Sequence, residues 1–332
     1  MMVSTVSKVL CVLFVPVLVA ASWAALAVRP TVPLLDAQGR ATAVLVTGAS
    51  SGIGLSAALH LQRQGLHIFA GFRKDADRER LSELGLDPIQ LDVTSTSDIA
   101  NAVARIKGSG LSLVALVNNA GLTTKRPLET VAMASVRRIL DVNVFASLEL
   151  TQQMLPLLRS TARKIVGKSQ QRGARIVFIG SVSGIVSLKL NGVYSMSKYA
   201  LESMADTFRR ELATTGIGVS MVNPGYINTN FRKRGAASIQ AETLSDRDQA
   251  LYGADFEKLS RKIARRPTFA APCCDGTDTA IADAILSPRP RTRYYPAVAM
   301  PHVPAWAVAP VLRLFSVVPF TEPVVDWLLA KV

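Results

Sequence analysis

Six short apolar runs, separated by stretches of helical periodicity, constrain the fold of this chain more than any other feature. They cover residues 43–47, 67–72, 88–93, 113–118, 175–180 and 219–223, with a seventh predicted at residues 293–297. Short, continuously apolar runs are typical of parallel strands that are buried on both faces. The first intervening helix is predicted at residues 54–64. This strand–helix alternation predicts an α/β fold, a doubly wound Rossmann-type parallel sheet in a single domain.

Two stretches depart from this alternation and set the predicted limits of the domain. The α/β domain is predicted to span residues 41–298, and a polar, basic insertion interrupts it at residues 228–274. An insertion after a late strand is a natural lid over a substrate. Residues 299–332 mix prolines with large apolar side chains. We expect this hydrophobic tail to pack on the domain or to enter a membrane interface.

The amino-terminal segment, residues 1–30, is almost unbroken apolar sequence from Val9 to Val28. About twenty such residues are enough to cross a bilayer, so the segment is predicted to be a retained membrane anchor. A cleaved signal peptide is an alternative, because Ala25-Leu26-Ala27 resembles a small-residue cleavage site. A buried core helix is the third alternative. A retained anchor predicts an endoplasmic-reticulum or other intracellular membrane, with the α/β domain facing the cytosol.

The formal net charge of +14 is compatible with nucleic acid, an anionic membrane, a phosphorylated ligand or simple surface solvation. The basic cluster at residues 159–175 lacks the interleaved aromatic side chains of a single-strand nucleic-acid platform. A membrane partner is therefore expected rather than nucleic acid, and a homodimer is compatible with the sequence. The three cysteines show no ligand spacing, so no metal is expected.

A glycine-rich loop connects the first predicted strand to the first predicted helix. Its glycines follow a G-x-x-x-G-x-G spacing, which lets backbone N–H groups approach a pyrophosphate at a helix N-terminus. A tight turn alone would also need glycines, but the strand–loop–helix position favours a dinucleotide. The predicted cofactor-binding residues of this loop are Gly48, Ser50, Ser51, Gly52, Ile53 and Gly54.

The end of the second predicted strand bears on the choice between NAD and NADP. A chain that selects NAD usually offers an acidic residue there for the ribose 2′-hydroxyl. This chain offers Phe72, Arg73 and Lys74. Arg73 is suited to pair with a 2′-phosphate, so NADP(H) is favoured. NAD(H) is the alternative, because Asp75 or Asp77 is also within reach of a ribose.

Polar and small residues end the next two predicted strands. Asp92 and Val93 end the third strand, where a carboxylate can meet the adenine amine. The fourth strand is followed by a small, turn-forming run that leaves space for a cofactor. Its predicted cofactor-binding residues are Asn119, Ala120 and Gly121.

Tyr194 and Lys198 lie four residues apart in a helical pattern, so they share one helix face. A nearby ammonium is expected to lower the pKa of the phenol. The phenol can then exchange a proton with a carbonyl or alcohol oxygen while hydride moves at the adjacent carbon. Ser181 is suited to hold the substrate oxygen, and Asn143 is a polar residue in a helical stretch where it is expected to hydrogen-bond, through a water to Lys198.

Taken together, these residues make the sequence resemble a classical short-chain dehydrogenase/reductase from about residue 43 to residue 229. The resemblance implies a catalytic tetrad of Asn143, Ser181, Tyr194 and Lys198, with Tyr194 and Lys198 also contacting the cofactor. It further implies that residues after the sixth strand lie beside the nicotinamide. These residues are Pro224, Gly225, Ile227 and Thr229.

A narrower resemblance is carried by residues 194–202, 208–212, 224–229 and 292–294. They are similar to the retinol, 17β-hydroxysteroid and 3-hydroxybutyrate dehydrogenase branch, many of whose members are membrane-bound. The resemblance implies oxidation or reduction of a lipophilic substrate such as a steroid, a retinoid or another lipid. A small polar carbonyl substrate is one alternative, and a non-catalytic nucleotide-sensing scaffold is the other.

Overall fold

The computed structural model describes residues 41–166, 173–225, 245–264 and 276–296, together with positions 35, 39, 227 and 274. Its centre is a seven-stranded sheet in the order β3-β2-β1-β4-β5-β6-β7, in which every neighbouring pair is parallel. The strands are β1 (Ala43–Val46), β2 (His67–Phe72), β3 (Asp87–Gln90), β4 (Leu113–Asn118), β5 (Ala174–Ile179), β6 (Ile217–Val222) and β7 (Arg293–Tyr294).

Helices cover both faces of the sheet. They are α1 (Gly52–Arg63), α2 (Arg78–Glu83), α3 (Thr96–Gly108), α4 (Met133–Leu140), α5 (Ala146–Val166), α6 (Gly192–Glu211), α7 (Asp246–Ala264) and α8 (Thr277–Leu286). Buried side chains of α3, α5 and α6 form one core with the sheet, and those of α1, α2 and α8 form another on the opposite face. The predicted doubly wound parallel sheet is therefore confirmed.

Most strand and helix boundaries differ from the sequence prediction by one to three residues, and three of these differences are representative. Strand β3 ends at Gln90 instead of residue 93, because the chain turns after Leu91 donates its N–H to the carbonyl of Phe72 at 2.7 Å. Helix α1 begins at Gly52 rather than at residue 54. Strand β7 contains only Arg293 and Tyr294. None of these differences changes the order of the elements.

Several predictions concern residues outside the described part of the chain. They are the anchor at residues 1–30, the tail at residues 299–332, Thr229, and residues 228–244 and 265–273 of the predicted lid. The lid's described part is mainly α7. Among the residues that the structure describes, no helix is both long enough and apolar enough to cross a membrane. The domain limits and the anchor therefore stay predictions.

Candidate nucleotide and reaction site

The glycine-rich loop between β1 and α1 disfavours a side chain at each of its three glycine positions. Gly48 and Gly52 have φ angles of +62° and +57°, the left-handed region that favours glycine. At Gly54, a Cβ atom would lie 2.4 Å from the carbonyl oxygen of Gly48 and 2.5 Å from Nδ2 of Asn119. The loop therefore keeps its backbone bare at the amino end of a helix, which is the cradle that a pyrophosphate needs.

The amino end of α1 is also electrostatically suited to an anion. Ser51 is the N-cap residue, but its side chain makes no capping hydrogen bond, and the first turn contains no acidic residue. Neither a capping side chain nor an acidic residue of the first turn therefore neutralises the positive end of the helix dipole. Bare backbone and an uncompensated helix end together fit the phosphates of a dinucleotide.

Asn119 braces this loop from the neighbouring strand end. Its Nδ2 donates to the carbonyl of Thr47 at 2.8 Å, and its N–H and that of Ala120 both donate to Oγ1 of Thr47 at 2.9 Å. The ends of β1 and β4 are thus tied side by side. The Asn119 side-chain amide thus hydrogen-bonds to the protein backbone. Asn119 therefore holds the conformation of the loop, in addition to any contact that it makes with a ligand.

The segment after β2, residues 73–80, carries three arginines among three acidic residues. Asp75 pairs with Arg78 at 3.7 Å, and Asp77 pairs with Arg80 at 2.8 Å. Nη2 of Arg80 also donates to the carbonyl of Ser50 at 2.6 Å, which joins α2 to the glycine-rich loop. Both carboxylates that were alternatives for a ribose contact therefore already have cationic partners.

Asp92 lies just beyond β3 and close to Arg73. Its Oδ1 accepts from the N–H of Thr94 at 3.0 Å and from Oγ1 of Thr94 at 2.7 Å. Burial alone would raise the pKa of Asp92, but the Thr94 hydrogen bonds and the charges of Arg73 and Arg138 hold it below the usual value. Asp92 is thus ionised at neutral pH, and the neighbouring Val93 is buried.

The predicted reacting residues meet where β5 ends and α6 begins. Tyr194 and Lys198 share a face of α6, and Nζ of Lys198 lies 5.5 Å from the centroid of the Tyr194 ring. Nζ also donates to the carbonyl of Ile179 at 2.8 Å. Ser181 hydrogen-bonds to the Tyr194 phenol, and its Oγ accepts from the N–H of Ser183 at 3.1 Å. The structure therefore brings the serine, tyrosine and lysine together.

From the sequence, Lys198 is predicted to lower the pKa of Tyr194. For the protein chain alone this prediction is wrong, because the pKa is raised. Burial raises the pKa of Tyr194 to about 12, and the hydrogen bond from Ser181 offsets only part of that rise. Burial also lowers the pKa of Lys198 to about 8. Desolvation disfavours the charged form of each group. Tyr194 is consequently a protonated acid at neutral pH.

Asn143 lies in a π-helical turn, Asp141–Phe145, between α4 and α5, and is fully buried. Its Oδ1 accepts from the N–H of Leu122 at 2.7 Å, and its Nδ2 donates to the carbonyl of Leu122 and to Oγ of Ser197, both at 2.9 Å. π-Helical turns often occur at functional sites. The Asn143 side chain joins the loop after β4 directly to α6, next to Lys198.

A buried polar network behind Ser181 was not anticipated from the sequence. Oδ1 of Asn223 accepts from the N–H of Ser181 at 3.0 Å, and its Nδ2 donates to Glu202. Arg293 of β7 donates to Oε2 of Glu202 at 2.7 Å. The signal available in the sequence was the spacing of Glu202, which follows Lys198 by one helical turn.

The residues after β6 extend along the same edge of the site. The N–H of Val182 donates to the carbonyl of Pro224 at 3.2 Å, and the N–H of Gly225 donates to the carbonyl of Pro296 at 2.9 Å. Ile227 is buried. These contacts place Pro224 beside the turn that carries Ser181, as a nicotinamide position would require.

The loop after β4, residues 122–131, was also not anticipated from the sequence. Its Lys125 donates to Oδ1 of Asn191 at 2.5 Å, immediately before α6. Its Glu129 pairs with Arg247 of α7 and accepts from the hydroxyl of Tyr252 at 2.8 Å. Phe256 of α7 is buried against Leu190. Helix α7 is therefore docked over the loop and over the entrance to α6.

Comparison with known proteins agrees with this geometry. Residues 42–239 match the model of the family described as short chain dehydrogenase. The chain belongs to this family, and it is an NAD(P)-dependent oxidoreductase of the class that interconverts alcohols and carbonyl compounds.

The relatives support the narrower branch and the fold. The oxidoreductase YbbO of Escherichia coli (strain K12) is 38% identical over 189 residues, which are 57% of this chain and 66% of that protein. Retinol dehydrogenase 16 of Mus musculus is 32% identical over 265 residues, 76% of this chain and 79% of the relative. A solved short-chain dehydrogenase from Streptomyces avermitilis has a TM-score of 0.64 at 22% identity, and the match covers 87% of this chain and 97% of that one.

Proposed function

We propose that the protein is an NADP(H)-preferring dehydrogenase or reductase that acts on a lipophilic alcohol or carbonyl compound, with Tyr194 as the general acid/base. The observation that carries this proposal is the meeting of Ser181, Tyr194 and Lys198 beside a bare glycine-rich loop. An acid and a nucleotide cradle on one edge of a parallel sheet are the two parts that a hydride-transfer enzyme needs.

The chemistry follows from the hydrogen bonds around Tyr194. The cofactor supplies or accepts the hydride when it is bound. The Ser181 hydroxyl accepts from the N–H of Ser183 and has one proton of its own, which it shares with the Tyr194 oxygen and can give to a substrate oxygen when one is bound. Tyr194 then donates its proton to the carbonyl oxygen in reduction and recovers a proton from the alcohol in oxidation. Lys198 supplies positive charge as the phenolate forms.

The preference for NADP(H) is proposed from the region after β2. Arg73 is exposed immediately after β2, whereas Asp75 and Asp77 lie 3.7 and 2.8 Å from arginine side chains. A carboxylate in an ion pair is a poorer acceptor for a ribose hydroxyl, and an available guanidinium favours a 2′-phosphate. Arg73→Ala should weaken NADPH binding about tenfold more than NADH binding, and the adjacent exposed Lys74→Ala is the matched control. Equal losses for both cofactors would overturn the assignment.

A lipophilic substrate and a membrane setting are proposed together. Leu190, Phe256, Tyr252 and Leu259 form an apolar cluster where α7 docks near the site. One relative is named for retinol, and the apolar residues 9–28 have the length of a membrane anchor. The full-length chain should remain in membranes after carbonate washing. Its release into the wash would contradict an integral anchor.

A homodimer is also proposed, from the exposed apolar side chains Phe145 and Met196 near the start of α5 and on α6. Light scattering of the purified protein gives its mass directly. A monomer at micromolar concentration would overturn this part of the proposal.

Replacing Tyr194 with phenylalanine tests the central claim. The variant should lose at least about a thousandfold in turnover on a panel of sterols, retinoids and ketones, because it removes the acid and keeps the ring. NADPH affinity should be unchanged. Tyr199→Phe, on the same helix but with its hydroxyl bonded to the carbonyl of Ile185, is the matched control. Retained turnover in Tyr194→Phe would refute the assignment, and a wild-type protein that binds NADPH but turns over no substrate would favour the scaffold alternative.

A further inference from the structure

The glycine-rich loop is held from both neighbouring strands, and on the side of β2 an arginine contributes to this. Nη2 of Arg80 on α2 donates to the carbonyl of Ser50 at 2.6 Å. The N–H of Ala49 donates to the carbonyl of Gly71 at 2.8 Å, so this part of the loop runs along the end of β2. Asn119 holds the loop from β4, which lies on the other side of β1. Arg80 is therefore the counterpart, on the β2 side, of the brace that Asn119 supplies.

The arginine is itself fixed on α2 by an acidic residue. Its Nη2 also donates to Oδ1 of Asp77 at 2.8 Å, and Asp77 is the N-cap residue of the same helix. The side chains of Arg80 and Asp77 are 44% and 24% exposed, so the pair is partly shielded from water. Charge-assisted hydrogen bonds of this kind are stronger than neutral ones. Asp77, Arg80 and Ser50 thus form one bridge from α2 to the loop.

The bridge fixes the direction of one peptide group in the loop. A trans peptide is planar, so the carbonyl of Ser50 and the N–H of Ser51 point in opposite directions. While the oxygen is bound to Arg80, the N–H points away from α2 and the oxygen is not free to turn toward an incoming phosphate. Gly48 and Gly52 flank this peptide with positive φ angles, and glycine backbones rotate with little steric resistance. A contact that holds such a loop in one conformation reduces the entropy that is lost when a ligand binds.

We propose that Arg80 is a positioning residue for the dinucleotide, because it holds the Ser50–Ser51 peptide and so keeps the loop in its phosphate-binding conformation. The inference rests on the proposed oxidoreductase function and adds to it a residue of α2 that the glycine spacing does not include. Its effect differs from that of Arg73. A guanidinium that contacts the 2′-phosphate discriminates between the two cofactors, whereas Arg80 acts through the loop and affects NADP(H) and NAD(H) alike.

Replacing Arg80 with methionine tests this role. The variant should bind NADPH, NADH and ADP each about tenfold more weakly, because all three carry the diphosphate that the loop holds. Fluorescence titration measures the two reduced cofactors, and calorimetry measures ADP, which lacks both the nicotinamide and the 2′-phosphate. KM for the cofactor should rise by the same factor while kcat stays within about twofold, because the bridge acts on cofactor binding and not on the reacting atoms. Arg80→Lys keeps a cationic donor for the Ser50 carbonyl and should restore part of the affinity.

Arg105→Met is the matched control. Arg105 is 55% exposed and donates to Oδ1 of Asp87 at 2.5 Å, but this pair joins α3 to β3 and not to the loop. Its replacement should lower the melting temperature about as much as Arg80→Met does and should leave all three affinities unchanged.

The outcomes separate this inference from the proposed function. Unchanged affinities in Arg80→Met, or equal losses in Arg105→Met, would overturn the positioning role and leave the function standing. A loss confined to NADPH would also overturn it, because it would show that Arg80 contacts the 2′-phosphate directly. Binding of both cofactors that depends on Arg80, without turnover of any alcohol or ketone, would support the positioning role and overturn the oxidoreductase function. A wild-type protein that binds none of the three ligands would overturn both.

Discussion

The two halves of the reaction site are built in different ways. The nucleotide half consists mainly of backbone, with glycines at positive φ angles and a bare helix end, and the Asn119 side chain braces it within a pair of adjacent strands. The half around Ser181 and Tyr194 consists instead of side chains that meet from distant segments, and the same holds for the neighbouring contacts of Lys125 with Asn191 and of Glu129 with Arg247. A backbone cradle serves any dinucleotide, whereas side chains from several segments can be exchanged to change the substrate. The difference explains how one fold keeps its cofactor while its substrates vary.

The largest effect is expected where the nucleotide half admits no side chain. Gly54→Ala places a methyl group 2.4 Å from the carbonyl of Gly48 and 2.5 Å from the Asn119 amide. The loop must shift, so NADPH affinity should fall about a hundredfold, about 3 kcal/mol. Fluorescence titration with NADPH measures the loss. Gly108→Ala is the matched control, because a methyl group there would meet no atom of a neighbouring segment within 4 Å, and it should leave the affinity unchanged.

This contrast also explains what the sequence could predict. The loop at Gly48–Gly54 and the Tyr194–Lys198 pair depend on short spacings, which are visible in one sequence. Lys125 and Asn191 are 66 residues apart, and only the fold shows that they touch. The sign of the Tyr194 pKa shift was missed for the same reason, since desolvation depends on everything packed around the group. Most of the predicted lid lies outside the described residues, so its role stays a prediction.

The next effect is a dependence on pH at the junction of the two halves. Because burial raises the pKa of Tyr194 to about 12, the phenol is protonated throughout the neutral range. Reduction uses the protonated form and should be independent of pH between about 6 and 7.5, below the pKa of about 8 to which burial lowers Lys198. Oxidation uses the phenolate, whose fraction rises with pH, so kcat/KM should increase about tenfold per unit.

Initial rates in both directions, with a neutral alcohol and its ketone, measure these two profiles. A neutral pair keeps the ionisation of the substrate itself out of the comparison. Tyr194→Phe provides the baseline that the phenol does not influence. A reduction rate that falls tenfold per unit above pH 6 would show that Tyr194 titrates near neutrality and would reject the burial argument.

The smallest of the three effects concerns the buried network of Asn223, Glu202 and Arg293, which supports the backbone of Ser181. Glu202 bonds to Asn223, which accepts from the N–H of Ser181 at 3.0 Å. Asn223 also fills the space beneath Gly180, where a Cβ atom would lie 1.9 Å from its Oδ1. Glu202→Gln removes the charge that orients both Asn223 and Arg293 while nearly preserving the shape. We expect kcat to fall about tenfold, about 1.4 kcal/mol, with NADPH affinity changed by less than twofold.

Asp206→Asn is the control that makes this prediction specific. Asp206 pairs with the same Arg293, at 2.9 Å, so its replacement also weakens the ion pair at β7. If the network acts through Arg293 and general stability, both variants should lose activity and melting temperature alike. If it acts by positioning Ser181 through Asn223, only Glu202→Gln should lower kcat, and the loss should be equal for oxidation and reduction, because Ser181 holds the substrate oxygen in both directions. Equal losses in the two variants would show that the network stabilises the fold and does not position Ser181 for the reaction.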